Sequence, residues 1–351
     1  MESTDLFSPD AYPLYFERIL RILKMPVWIA GLVFGGVVGS VLVVSDIAAG
    51  LPVREHFPVL SAELISIALA PILMVVVRNR ALAAYRDLLA ILPETQQETL
   101  AVLLRKAFDQ RRSLILSLII GAAGVVQHIS LSYFTWGRIW WYSTVDILLI
   151  GFGWWFVVAS FFWTCASVAG YSFYASRCLQ LMPRVFSHKR MCGLESFGNL
   201  AVVPSVAWGT VATFGTLSTF DPATVEHFAQ LIVFYLTLDF IIVAGSMTAI
   251  FFLPILGYRS VVLPLKRSLS RRMNELLVST DGTVISDSWA VDDSTALRNL
   301  YLWALSSQIR QIKEWPLSLG GGIRFLLSYV IPGAAFIGRL MLLTMGVQIP
   351  L

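Results

Sequence analysis

The chain has 351 residues, of which 57% are hydrophobic and 14% charged, with a formal net charge of +4. Soluble domains carry roughly 45–50% apolar and about 25% charged residues, so an ordinary soluble protein is excluded, as are disordered, collagen-like and disulfide-framework chains. No segment interleaves basic and aromatic residues as a nucleic-acid binder does, and three cysteines, Cys165, Cys178 and Cys192, are too few for a framework and are expected as reduced thiols.

Residues 1–24 mix Asp5, Asp10 and Glu17 with Arg18, Arg21 and Lys24. That is too long and too mixed for the basic n-region of a cleaved signal peptide, and it reads as a cytosolic arm. Seven apolar runs follow: Met25 to Val44, Phe57 to Val77, Ser113 to Phe134, Val145 to Ala169, Leu194 to Phe220, Leu231 to Tyr258, and Ile323 to Ile349. Each is near or above the ~18 residues that read as a membrane span. The expected architecture is therefore all-α and polytopic, with membrane helices in 25–77, 113–176, 194–258 and 323–351 and connections at 78–112, 177–193 and 259–322. Of 26 Lys and Arg, 23 fall in the arm, in those connections or at Arg324, against Arg54 and Arg138 on the opposite side and Arg339 inside the last span. The positive-inside rule then places the N-terminus in the cytosol and, after seven crossings, the C-terminus outside.

Within the first span, Gly31, Gly35, Gly36 and Gly39 form small-xxx-small steps that permit close helix approach. In the first connection, Leu88, Leu89, Ile91, Leu100, Leu103 and Leu104 lie among charges and Pro93 divides two helices. Aromatics crowd Trp136, Trp140, Trp141 and Tyr142, read as an interfacial belt. Deeper in span four stand Trp154, Trp155, Phe161, Phe162 and Trp163, facing lipid or forming a ligand-stacking wall. In the last connection, Pro264 to Leu277 predicts a basic helix, Ser279 to Asp287 a turn-rich loop, and Ser294 the N-cap of a helix reaching about Glu314. That helix has an apolar stripe of Leu297, Leu300, Tyr301, Ala304, Leu305 and Ile312. Trp315 suits the membrane interface, Pro316 a first helical turn, and Gly320, Gly321 and Gly322 precede the last span, so this stretch reads as a hinge.

Ionisable groups inside a span are costly, which singles out Glu63, His128, Asp239 and Arg339. At ~1.5 Å per residue they lie ~9, ~9, ~12 and ~15 Å below the outer ends of their spans. Two readings follow: Arg339 neutralises Glu63 or Asp239 as a structural pair while His128 satisfies a backbone carbonyl, or the four line a polar pocket opening outward. In the last span, Ile337, Met341, Thr344 and Gln348 recur at four, three and four residues and share a face, with Arg339 about 200° round from Ile337. Such a stripe lines a pore or packs on a neighbouring helix. Zincin, Walker and nucleophile-elbow signatures are missing. His188 and Cys192 alone do not fill a metal site, so the expectation is a non-enzyme without a cofactor or metal.

Seven spans, three substantial cytoplasmic connections and a last element split into a cytosolic helix and a membrane helix over Ser294 to Ile349 give a topology that resembles the seven-transmembrane ion channels that include insect odorant and gustatory receptors. The likeness is one of topology. Where gustatory receptors carry Thr-Tyr and then Gln-Phe near the terminus, this chain has Thr344-Met345 and Gln348-Ile349. The resemblance implies a ligand-gated or constitutive, cation-conducting channel in the plasma or cytoplasmic membrane. It further implies assembly as a homotetramer through the cytosolic helices, a last helix lining the pore with Ile337, Met341, Thr344 and Gln348, and a possible small-molecule ligand. A secondary transporter using the buried charges, and a membrane sensor signalling through its cytosolic helices, are the alternatives.

Overall fold

The computed structural model of the chain describes residues 7–22, 24–48, 53–136, 144–145, 147–183, 191–218, 222–284, 293–317 and 319–344. Ten α-helices stand among them: α1 (Tyr15–Ile22), α2 (Val27–Ala48), α3 (Val53–Leu89), α4 (Gln97–Ala107), α5 (Gln110–Trp136), α6 (Trp155–Cys178), α7 (Ser196–Ser218), α8 (Pro222–Val284), α9 (Asp293–Arg310) and α10 (Leu319–Thr344). A π-helical turn, Ile147–Trp154, leads into α6. The described residues contain no strand. Six segments, in α2, α3, α4–α5, the π turn with α6, α7 and α8, are long and apolar enough to cross a membrane, where a helix satisfies its backbone polar groups internally. The chain is thus an all-helical, multi-pass membrane protein. Helix α10, with 26 residues, is ~39 Å long at ~1.5 Å per residue.

The bundle is built around α7, 67% of whose apolar window is buried, against 28% for α2 and 22% for the α4–α5 window. Around it pack α3, α6, α8 and α10, while α2 leans on α3 and α5 on α6. The outer helices present large apolar side chains outward, among them Leu32, Val37 and Ile47 of α2 and Ile115, Ile119 and Val126 of α5. Soluble monomers rarely expose continuous apolar faces of this kind; here lipid is the solvent. The small-residue face of α2 meets α3: a Cβ at Gly31 would lie 2.6 Å from the Ala68 carbonyl oxygen and one at Gly39 2.6 Å from the Leu64 side chain, whereas Gly36 has nothing within 4 Å.

The structure redraws several expected boundaries. Helix α3 runs unbroken through Arg78 to Leu89, so the expected border at 77/78 falls inside a helix. Helix α8 passes through Tyr258, Pro254 and Pro264 to Val284, merging the sixth span with the expected basic helix and with the first part of the expected loop. Residues 285–287 lie outside the described residues. Weak helix formers such as Ser279, Thr280 and Gly282 cost at most ~1 kcal/mol each, too little to end a helix on their own. Helix α9 ends at Arg310 rather than near Glu314, and α10 begins at Leu319, so Gly320, Gly321 and Gly322 form its first turn instead of preceding it. On α9 Leu302 and Ile309 are packed, with Leu305 of the expected stripe beside them, and Ile312 of that stripe is buried just past the helix end; Leu297, Leu300, Tyr301 and Ala304 of the stripe are exposed.

The N-terminal arm is folded into the bundle. Phe7, Tyr12 and Leu14 are buried in the main core, and the Leu14 amide donates to Glu17 Oε2 at 2.8 Å. That carboxylate is ion-paired with Arg78, whose guanidinium also donates to the Tyr12 carbonyl at 3.1 Å.

Candidate functional site

The four ionisable residues expected inside spans fall on four different helices; Glu63 and His128 lie within apolar segments long enough to cross a membrane. Glu63 sits on α3 and His128 on α5, and both helices pack against the π turn. Three residues beyond Glu63, Ser66 Oγ accepts a hydrogen bond from the Trp154 indole at 3.3 Å. The α5 contact is backbone-close: a Cβ on Gly124 would stand 2.1 Å from the Gly151 carbonyl oxygen, and one on Gly151 would meet His128 Cβ and Cγ at 3.1 Å. The expected backbone bond to His128 is not made at Nδ1, which is buried without a hydrogen-bond partner among the described residues. Asp239 and Arg339 are on α8 and α10, which pack together; their side chains lie outside the described residues. Glu63 sits on a helix whose neighbours are α2, α6 and α7.

The span-four aromatics are packing elements more than a lipid face. Phe161 is fully buried, and the rings of Phe161 and Phe162 stand 6.0 and 5.1 Å from that of Trp208. Residues 140–142 of the expected belt lie outside the described residues. Hydroxyls tie the interior together: Ser113 to Ser160 at 3.0 Å, Tyr85 to Ser172 at 3.1 Å, and the Trp208 indole to Ser246 at 2.8 Å.

The expected hinge is a latched joint. Residues 311–317, between α9 and α10, are not helical, and Pro316, expected in a first helical turn, is buried among them. The Tyr258 hydroxyl donates to the Lys313 carbonyl at 2.5 Å, and Lys266 Nζ donates to the Ile312 carbonyl at 3.2 Å and to Glu314 Oε1 at 3.0 Å. The Arg259 guanidinium lies over the Trp315 ring at 4.9 Å from its centroid. The Lys266 ammonium, with Arg259 and Arg267 adding to its field, holds the Glu314 carboxyl below the usual carboxylate range. On the other side a Cβ at Gly198 would stand 2.0 Å from the Pro316 carbonyl oxygen, a contact between α7 and the joint that apolar periodicity does not signal.

Helix α10 is held on one face. Phe325 stacks on Phe251 with centroids 3.4 Å apart, and the Tyr329 hydroxyl donates to the Ala244 carbonyl at 2.9 Å. Ile323, Leu326, Val330 and Ile331 are exposed, as is Ile337 of the expected pore stripe. Met341 and Thr344 belong to α10 with side chains outside the described residues, and Gln348 lies beyond them. An open depression of about 480 Å³ lined by Asp10, Glu17, Lys24 and Val27 lies at the arm's junction with α2, away from these residues. Among the described residues no three His, Cys, Asp or Glu gather as a metal site requires. Comparison of the chain with family models, with curated proteins and with solved structures finds no match.

Proposed function

We propose that the chain is a non-enzymatic, cation-conducting channel subunit of a cell membrane. It crosses seven times with the basic end of the bundle in the cytosol, and homo-oligomerises so that α10 faces a central axis. The observation that carries this reading is the one-sided seating of α10, with Ile337 52% exposed on the outside of a single bundle. A helix that lines an axis between copies must present such a face, and an apolar ring there is a dewetting gate. The joint supports it, because Lys266, Tyr258 and Arg259 fasten the last helix to the long α8. A tetramer, and gating by a small molecule, are proposed on the topological resemblance.

In purified protein reconstituted in liposomes, Ile337→Ser is expected to raise passive cation leak while oligomer mass is unchanged. Unchanged flux in an assembled protein overturns the pore assignment. A carrier is the competing reading, favoured by the unpartnered His128 Nδ1 against the π turn, since π turns recur at functional sites. It predicts saturable, coupled exchange that His128→Gln abolishes.

A further inference from the structure

Positive charge gathers at the joint between α9 and α10, where Glu195 and Glu314 are the carboxylates that act on Tyr258 among the described residues. Arg259, Lys266 and Arg267 act on one carboxylate, Glu314, and Lys266 alone hydrogen-bonds it. Lys313 and Arg310 are exposed beside it, and Arg324 is exposed on the second turn of α10. Arg259 is the most telling member. Its planar group is fixed over Trp315, yet its Nε is buried without a hydrogen-bond partner among the described residues. Guanidinium groups offer five donors in a fork suited to phosphate oxygens, and a buried orphan donor calls for an acceptor. The place is informative as well. Arg259 is the first charge after the sixth apolar run, and Trp315 is 43% exposed, as an indole at the headgroup level is expected to be.

We infer that Arg259, with Lys266 and Arg267 beside it and Trp315 beneath, binds the phosphate of an anionic phospholipid at the basic end of the bundle. This rests on the proposed orientation, which sets that end against the cytoplasmic leaflet, where anionic lipids collect. The lipid phosphate would join the exit of α8 to the entry of α10 and complete the latch.

The test uses the full chain in nanodiscs of phosphatidylcholine alone or mixed with phosphatidylserine. Both faces then offer the same lipid, so the result does not depend on orientation, which impermeant-thiol labelling of cells decides separately. Thermal midpoint and retained phosphatidylserine by native mass spectrometry are the readouts. Wild type is expected to gain stability with phosphatidylserine. Arg259→Gln and Arg267→Gln should each lose about fivefold in retained lipid, the ratio implied by ~1 kcal/mol per basic residue near an anionic surface. Arg80→Gln, at an exposed position of α3, should lose little. No phosphatidylserine effect, an equal loss in Arg80→Gln, or the same stabilisation from inorganic phosphate in phosphatidylcholine discs would each overturn the lipid site. Should Arg259→Gln fail to fold, Arg267→Gln, which disturbs no ring stacking, decides between the same outcomes.

Discussion

Two carboxylates at the basic end illustrate how environment sets the worth of an ion pair. Glu17 pairs with Arg78, whose side chain is 3% exposed. Removing one partner of a buried pair strands the other charge and typically costs ~3–5 kcal/mol. Glu17→Gln is therefore expected to lower the thermal midpoint in detergent strongly and to free the arm for proteolysis, while Glu17→Gln with Arg78→Met recovers part of the loss. Glu314 faces solvent, where screening makes a pair weak. Its carboxyl is held low, chiefly by Lys266, so the pair's contribution is complete above the ordinary carboxylate value of 4.5 and is lost as pH falls through the lower folded value. Between pH 6 and 8 (roughly two to four units above an ordinary carboxyl), Glu314→Gln should change the midpoint little and leave its pH dependence flat.

At the scale of elements, close helix crossings make the sharpest expectations. Gly198→Ala should loosen the joint, because its methyl would meet the Pro316 backbone at 2.0 Å, whereas Gly36→Ala meets nothing and should stabilise α2 by about 0.5–1 kcal/mol. Thermal unfolding of the two variants checks the contrast. Six of the seven expected spans are legible because apolar length is a one-dimensional signal, and the glycine face of α2 is legible because its spacing follows helical geometry. The arm's burial was hidden, since Glu17 and Arg78 are 61 residues apart and nothing local announces their pairing. The stripe expected on α9 is right at its C-terminal end, where Leu305 and the following Ile312 are packed, and wrong at its N-terminal end, where Leu297, Leu300 and Tyr301 are exposed; Leu302 and Ile309 are covered instead, and only the position of α8 decides that. Glu63, His128, Asp239 and Arg339 stand out in the sequence by the cost of a charge in an apolar run, but that His128 lies against the π turn depends on which helices touch. The joint was located by Trp315 and Pro316, while its fastening by Tyr258 and Lys266 is tertiary.

For the whole molecule, orientation has a built-in reporter. Cys178 is exposed at the end of α6, whereas Cys165 and Cys192 are buried, and burial pushes the Cys192 thiol up to about 11, aided by Glu195. The thiolate is the reactive form. An impermeant maleimide should accordingly label Cys178 in permeabilised cells and spare it in intact ones; labelling of intact cells would invert the proposed topology. The unbroken α8 bears on the same question of sidedness in another way. Its 63 residues measure ~95 Å at ~1.5 Å each, about three times the ~30 Å of hydrocarbon in a bilayer. A mismatch between a helix and the bilayer is accommodated in part by tilt, within what its packing allows, and a helix that continues past Tyr258 without a loop carries part of that tilt onward, reduced by any bend at Pro264. The stretch beyond Tyr258 is ~39 Å long, so a change of about 10° on entering a thicker bilayer sweeps its tip by about 7 Å. Passage between thin and thick membranes is therefore expected to move the tip of α8, and α9 packed on it, by at most that distance, with no ligand bound.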